Sequence, residues 1–213
     1  VAQAIGAGSF KNASATAKQA LGLLLLSSIV ISPSGVLAAP YMLPALSVGP
    51  EVVQMGMPFL QVFYLGMPFM TLNYAITTCL HGAGDTRTPF YIGLLNNSVK
   101  LSISYLLIFG VFGLPRLGVT GAAVGDIVGR GVGVIVGFWV LYSGRFGLTL
   151  LPETSYRPNW NLARRILKIG VPAAFQGFVR NGSSLVYVKL IALTKLSTPA
   201  LASFSIGRQI ERV

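Results

Sequence analysis

The amino-acid sequence predicts an all-α, polytopic membrane protein, and three observations lead to this fold class. Of the 213 residues, 53% are hydrophobic and only 10% are charged, whereas a soluble domain carries roughly a quarter charged residues. The mean hydropathy of the chain is +0.70. The apolar residues form long runs between short polar segments, and crossing a bilayer takes ~20 consecutive apolar residues.

The polar segment at residues 81–90, HGAGDTRTPF, is the turn around which the other elements are arranged. Its Gly-Ala-Gly is typical of a helix C-terminus, because glycine adopts left-handed backbone angles at no steric cost. Thr88 followed by Pro89 is typical of a helix start, since the threonine oxygen can cap and the proline ring already has a helical φ. We expect Asp85 and Arg87 to keep this turn in water. The segment therefore predicts a helix, a tight polar turn and a second helix.

Five apolar stretches are predicted to span the membrane, and a further helix starts after residue 197. A proline inside a helix removes one hydrogen bond and clashes with the preceding turn, so we expect a bend near Pro33 in the first stretch. The second stretch would be ~45 Å long as a straight helix, which predicts a tilt or a kink at Pro68. The predicted spans are residues 17–43, 50–80, 89–110, 118–142 and 171–194.

The fourth predicted span carries five glycines at an unbroken spacing of four. Residues four apart share a helix face, so these glycines form a smooth strip against which a neighbouring helix can pack backbone to backbone. We interpret the strip as packing rather than chemistry. Its members are Gly121, Gly125, Gly129, Gly133 and Gly137.

The longest polar connection covers residues 144–160 and is predicted to be a cytoplasmic linker. Residues 1–143 form one lobe before it, and residues 161–213 begin another after it. Because the sequence opens and stops partway through helices, we expect it to be a piece of a longer protein.

The orientation of the spans is predicted from their flanking charges. Eight basic residues fall on the side of the 81–90 turn and two on the opposite side, so the positive-inside rule makes the turn cytoplasmic. The eight are Lys11, Lys18, Arg87, Arg145, Arg157, Arg164, Arg165 and Lys168, and the two are Arg116 and Lys195.

Several function classes are disfavoured by the same residues. The net charge of +11 is spread between apolar spans, whereas a nucleic-acid site clusters its basic residues on one face with aromatics. The single cysteine, Cys79, allows neither a disulfide framework nor a metal cluster. The only histidine, His81, lies in the turn, and the sequence has no HExxH and no acidic pair on one face. We therefore expect no enzyme, no cofactor, no metal site and no nucleic-acid partner.

Polar side chains inside spans are costly and mark candidate functional sites. Asn97, Lys100 and Ser104 share one helix face at i, i+3 and i+7, and Asp126 and Arg130 are i, i+4 on the next helix. Lys100 lies roughly 15 Å from each end of its helix, near the middle of the membrane. Either these stripes line a water-filled cavity, or the charges form a structural ion pair. Two further stripes are Gln176, Arg180, Ser183 and Tyr187, and more weakly Tyr64, Thr71, Tyr74 and Thr78.

The turn with its flank, LHGAGDTRTP at residues 80–89, resembles the loop after the fourth helix of multidrug and toxic compound extrusion (MATE) transporters. Four other stretches resemble that family's second helix, its passage from the fifth to the sixth helix, the start of its seventh and its eighth, in that order along the chain. They are QAIGAG at 3–8, LLIFG with GVTGAA at 106–110 and 118–123, GVPAA at 170–174, and ALASFSIGRQIE at 200–211.

The resemblance implies a two-lobe antiporter of twelve helices in the cell membrane, of which this chain would cover helix two to part of helix eight. Such a protein, in a bacterial inner membrane, exports cationic or amphipathic small molecules with a sodium or proton gradient. Three positions depart from the family pattern. Asparagine is frequent in the family at the position of Lys100, asparagine or aspartate at that of Ser104, and a small or hydroxyl residue at that of Asp126.

We expect Lys100 and Asp126 to pair, because the short loop makes their helices antiparallel neighbours and their depths agree within roughly 3 Å. Arg130 competes for the same carboxylate. A tethered ammonium in place of a bound cation would make transport independent of sodium. Two alternatives remain open, namely a lipid-linked oligosaccharide flippase of the same superfamily and a non-transporting membrane scaffold subunit.

Overall fold

The structure is a computed structural model that describes residues 1–45, 50–143 and 160–192. The chain divides into two compact units, Val1–Ala163 and Arg164–Val213. The described residues form helices and connecting turns, without a strand, which confirms the predicted all-α class. The elements are α1 (Ala2–Gly6), α2 (Phe10–Ala45), α3 (Pro50–Leu65), α4 (Met67–Gly82), α5 (Arg87–Phe109), a 3₁₀ turn (Val111–Gly113), α6 (Val119–Ser143) and α7 (Trp160–Ala192).

Three of the described helices, α2, α5 and α6, are long and apolar enough to cross a membrane, and the bent pair α3–α4 would make a fourth span. Helix α7 does not meet the same criterion, although a span was predicted at residues 171–194. The helix itself is present, but its middle turns hold Gln176, Arg180 and Asn181, which lower its apolar content. Residues 193 and 194 lie outside the described part of the chain.

The predicted kink in the second span is real but occurs before Pro68. Helices α3 and α4 meet at Gly66 with a bend of 49°. Pro68 is in the first turn of α4, where its missing N–H and its ring disfavour a helix that continues from the preceding turn. A side chain at Gly66 would overlap Ile127 of α6. The break thus coincides with a proline in the following turn and with a glycine that packs closely on α6.

Helix α2 contains the first predicted span and continues through Pro33, Pro40 and Pro44. The hydroxyl of Ser34 donates to the carbonyl oxygens of Val30 and Ile31, at 3.0 and 2.9 Å. Such a bond from a serine hydroxyl back to the previous turn is typical of serine inside a helix.

The turn between α4 and α5 has the predicted course with a different cap. Gly84 has a φ of +85°, as expected for a glycine after a helix C-terminus. The carboxylate of Asp85 accepts the backbone N–H groups of Arg87 and Thr88, at 3.0 and 3.1 Å. The expected threonine cap and the solvated Asp85 were therefore wrong, since Asp85 is only 6% exposed and itself caps α5.

The glycine strip of α6 is a packing face, as predicted. All five glycines are buried, and added Cβ atoms at Gly121, Gly125 and Gly129 would meet the backbone of α5. Farther along, Gly133 lies against Asn96 and Asn73, and Gly137 lies against Ile76 of α4. Helices α5 and α6 consequently approach backbone to backbone along most of their length.

The hydrophobic core of the first unit lies where α2, α4, α5 and α6 meet near the 81–90 turn. Its largest fully buried side chains include Ile76, Leu80, Ile92 and Leu141. Two small residues of α2, Ala13 and Ala17, belong to the same cluster. The predicted linker at 144–160, apart from Trp160 at the start of α7, and the last predicted helix lie outside the described residues.

Candidate functional site

A polar cavity of about 140 Å³ lies between α4, α5 and α6 in the first unit. All three helices belong to candidate membrane spans, so polar side chains in this position need a structural or functional reason. The lining residues are Asn73, Gly93, Asn96, Asn97, Lys100, Asp126 and Arg130.

Three charged side chains of this cavity form a linked ion pair, called here the charge triad of Lys100, Asp126 and Arg130. The ammonium of Lys100 is 2.7 Å from Oδ1 of Asp126. Nε of Arg130 donates to the other oxygen, Oδ2, also at 2.7 Å. The predicted Lys100–Asp126 pair is therefore present, and Arg130 shares the carboxylate rather than displacing the lysine.

Helix geometry explains how the triad is assembled. The short segment between α5 and α6 makes the two helices antiparallel neighbours, so residues at similar distances from this segment lie at similar depth. Gly129 then allows the close approach, because an added Cβ there would be 3.1 Å from Cβ of Lys100. Asp126 and Arg130 are four residues apart on α6, where side chains of one helix face meet.

The three charges differ in their access to the cavity. The side chain of Asp126 is 16% exposed, that of Arg130 32% and that of Lys100 43%. Both oxygens of the carboxylate bind protein cations, so Asp126, the one carboxylate in the lining, already has its charge neutralised by neighbouring side chains. The two cations outweigh the carboxylate, and the cavity has a net positive charge.

Two amide side chains of the cavity, those of Asn73 and Asn96, are not among the site residues predicted from the sequence. Nδ2 of Asn73 and Oδ1 of Asn96 are buried and have no hydrogen-bond partner among the described residues, and both lie beside Gly133. The signal for Asn73 was an amide inside the apolar run of α4. The signal for Asn96 was weaker, since its neighbour Asn97 fitted the stripe with Lys100 better.

The predicted site residues separate into those that line the cavity and those that do not. Asn97, Lys100, Asp126 and Arg130 line it. Ser104 instead lies against Gly125, with its hydroxyl buried and without a partner among the described residues.

Tyr64 is also away from the cavity. Its hydroxyl donates to Sδ of Met42 at 3.4 Å, and its ring packs on Gly35 of α2. The break at Gly66 separates it from Thr71, Tyr74 and Thr78, so the weakest predicted stripe is not one helix face.

Gln176 and Arg180 belong to the second unit and are described by themselves. Both lie on α7 and are exposed in the described structure. Ser183 of the same stripe donates its hydroxyl proton to the carbonyl oxygen of Val179 at 2.8 Å.

Comparison with known proteins identifies the family of the chain. A probable multidrug resistance protein NorM of Thermotoga maritima is 29% identical over 214 residues, which is 99% of this chain and 45% of that protein. The probable multidrug resistance protein YoeA of Bacillus subtilis is 24% identical over the same share of each chain. The sequence model of the MatE family matches residues 1–106. The chain belongs to the MatE family.

Solved structures of MatE-type transporters share its fold. An inward-facing multidrug resistance MATE transporter of the MOP superfamily superposes with a TM-score of 0.79 at 19% identity, over 98% of this chain and 46% of that one. A MOP superfamily transporter from Pyrococcus furiosus, described as having a binding pocket of reversed polarity, gives a TM-score of 0.85 at 18% identity, over 99% and 46%. The chain thus spans about 45% of the length of the curated relatives that it matches.

Proposed function

We propose that this chain is part of a secondary active antiporter that exports amphipathic or cationic compounds by alternating access. The observation that carries the proposal is the charge triad beside a cavity between candidate membrane spans. Ionisable groups in such positions mark substrate or ion pathways far more often than they serve packing alone. The relatives named as probable multidrug resistance proteins support export of small molecules.

The pathway within the first unit is proposed to run past four of the sequence-predicted residues. Asn97 and Lys100 line the cavity on the side of α5, and Asp126 and Arg130 line it on the side of α6. Gln176 and Arg180 of α7 remain predicted pathway residues of the second unit.

The coupling ion is proposed to be the proton rather than sodium. A carboxylate is the strongest sodium ligand that a protein supplies, and the one carboxylate of the cavity lining, Asp126, is already paired with Lys100 and Arg130. The lysine ammonium then occupies the place of a cation. Any proton coupling would run through Lys100 or through a residue outside this chain.

The proposed function is tested in proteoliposomes that contain the full-length protein and a cationic or, in parallel, an anionic amphipathic fluorescent dye. We expect dye transport under an imposed proton gradient, unchanged when sodium is replaced by potassium, and reduced several-fold in Lys100→Asn. If no dye moves under either a proton or a sodium gradient, the transport function is wrong. If transport requires sodium, only the proposed coupling is wrong.

A purely structural role for the triad is tested by exchanging its charges. In Lys100→Asp combined with Asp126→Lys, the ion pair is retained while the position of each charge changes. A scaffold subunit would keep its function in this double variant, whereas we expect transport to fall because the charges no longer face the pathway in the same order.

A further inference from the structure

We propose that the cavity beside the charge triad binds an anionic group, so that the transported class is amphipathic molecules with a carboxylate, sulfonate or phosphate head. This inference rests on the proposed transport function and names the ligand chemistry of the same cavity. It selects against the cationic compounds that the family resemblance implies.

The charge of the cavity is the first argument. Lys100 and Arg130 contribute two positive charges, and Asp126 neutralises one of them. An unbalanced charge in a low-dielectric setting is costly unless a counter-ion is near. An anionic ligand removes this imbalance, whereas a cationic ligand would add a third positive charge.

The hydrogen-bond donors of the cavity are the second argument. A lysine ammonium has three donors and an arginine guanidinium has five, and Asp126 accepts one from each side chain. Lys100 and Arg130 remain 43% and 32% exposed, so a ligand can reach their other donors. Nδ2 of Asn73 and Oδ1 of Asn96, one a donor and the other an acceptor, are both buried and without a partner among the described residues, so they favour neither sign of ligand. The exposed donors of Lys100 and Arg130 are therefore the groups that an anion would satisfy.

The size of the cavity limits what enters it. Its volume of about 140 Å³ is well below the roughly 300–1,000 Å³ of pockets that enclose drug-sized molecules. The cavity can hold a small anionic head, while the apolar body of the same molecule stays outside it. A ligand with an anionic head inside the cavity and an apolar body outside it is an anionic amphiphile.

Asp126 acts in this proposal as an internal substitute for the ligand. Its carboxylate binds both cations, and the ligand anion would replace at least one of these two bonds. Removing the charge of Asp126 should then strengthen binding of an anion. A cation site would show the opposite response, because Asp126 would be its ligand.

The experiment measures binding to the full-length protein in nanodiscs by fluorescence anisotropy. Two probes share a dansyl body and differ only in a sulfonate or a trimethylammonium tail. We expect the sulfonate probe to bind more tightly than the trimethylammonium probe. Dioctanoyl phosphatidate serves as competitor for the sulfonate probe. If it displaces the probe, the natural ligand of the site is a lipid with an anionic headgroup. If it does not, the natural ligand is a soluble anionic amphiphile. Both results with the competitor support an anion site.

Three variants locate the binding at the triad. Lys100→Gln should weaken binding of the sulfonate probe about tenfold, the loss expected for one charge-assisted hydrogen bond. Asp126→Asn should tighten it several-fold. Arg116→Gln is the matched control, because it removes one positive charge from the exposed α5–α6 segment outside the cavity, and its affinity should equal that of the parent.

Tighter binding of the trimethylammonium probe, or an unchanged affinity of the sulfonate probe in Lys100→Gln, overturns the inference. Weaker binding of the sulfonate probe in Asp126→Asn does so as well, and if this variant does not fold, Lys100→Gln decides alone. If proton-driven transport of the cationic dye is the same in Lys100→Gln as in the parent, the anion site is contradicted and the transport function stands. Tight binding of the sulfonate probe without any transport contradicts the transport function and leaves the anion site standing.

Discussion

At the scale of single residues, two aspartates illustrate how much the same side chain depends on its neighbours. Asp126 is held by two cations at 2.7 Å each and so remains a stable anion among apolar helices. Asp85 instead accepts two backbone N–H groups at the start of α5. Backbone donors at a helix N-terminus carry a partial positive charge that stabilises a carboxylate.

The cap of α5 leads to a prediction about Asp85. Asp85→Ala should lower the free energy of unfolding by about 1 kcal/mol, the usual cost of losing an N-terminal cap, as measured by equilibrium unfolding in mixed micelles. Asp85→Asn should lose less, because the amide oxygen can still accept both N–H groups. Thr88→Ala is the control and should be nearly neutral, since Thr88 contributes its backbone N–H to this cap. If Thr88→Ala lowers the free energy of unfolding more than Asp85→Ala does, the side chain of Thr88, and not that of Asp85, caps α5.

At the scale of elements, the glycines of α6 determine how closely α5 can approach. A Cβ at Gly129 would be 2.6 Å from the carbonyl oxygen of Asn96 and 3.1 Å from Cβ of Lys100. Neither neighbour can move without shifting α5, because one is backbone and the other is the stem of the triad lysine. The packing of the two helices and the geometry of the cavity therefore depend on the same glycine.

Two glycines of α6 that lie two residues apart should respond to alanine with opposite signs. Gly129→Ala should destabilise the protein by about 1–3 kcal/mol, as expected for overpacking. Gly131→Ala should stabilise it by up to about 1 kcal/mol through helix propensity, since its Cβ would meet only the ring of Phe69 at 3.8 Å. Thermal unfolding in detergent compares the two variants directly. Stabilisation in both would show that α5 does not pack on this strip.

At the scale of the whole molecule, the ends of the helices define two faces of the first unit. Gly82 at the end of α4 lies beside Val1, so the start of α1 and the 81–90 turn are at one end. The 3₁₀ turn Val111–Gly113 connects the opposite ends of α5 and α6. The excess of basic residues on the side of the 81–90 turn predicts that this side is cytoplasmic.

The predicted topology is tested with single cysteines in a Cys79→Ala background. Thr86→Cys in the exposed turn should react with a membrane-impermeant maleimide only after the cells are permeabilised. Phe112→Cys is the matched control, because Phe112 is 90% exposed at the other end of the unit and should be labelled in intact cells. The reverse pattern would invert the predicted membrane orientation of the helices of the first unit.

The sequence by itself determined the features that follow from local periodicity and composition. Helical rise is constant, so counting residues from the α5–α6 segment was enough to match the depths of Lys100 and Asp126. A spacing of four places residues on one face, which was enough to predict the glycine strip. Apolar run length was enough to predict α2, α5 and α6 as candidate spans.

Only the tertiary structure decided which face of each helix meets which neighbour. Ser104 shares a face with Lys100 but lies against Gly125, outside the cavity, because the narrow contact between α5 and α6 covers it. Tyr64 packs on α2 since the chain bends at Gly66, where Ile127 of α6 occupies the space of a side chain. Asn73 enters the cavity from α4, a helix whose rotation no local pattern specifies. Periodicity defines a stripe along one helix, whereas the partner of that stripe depends on close packing between helices.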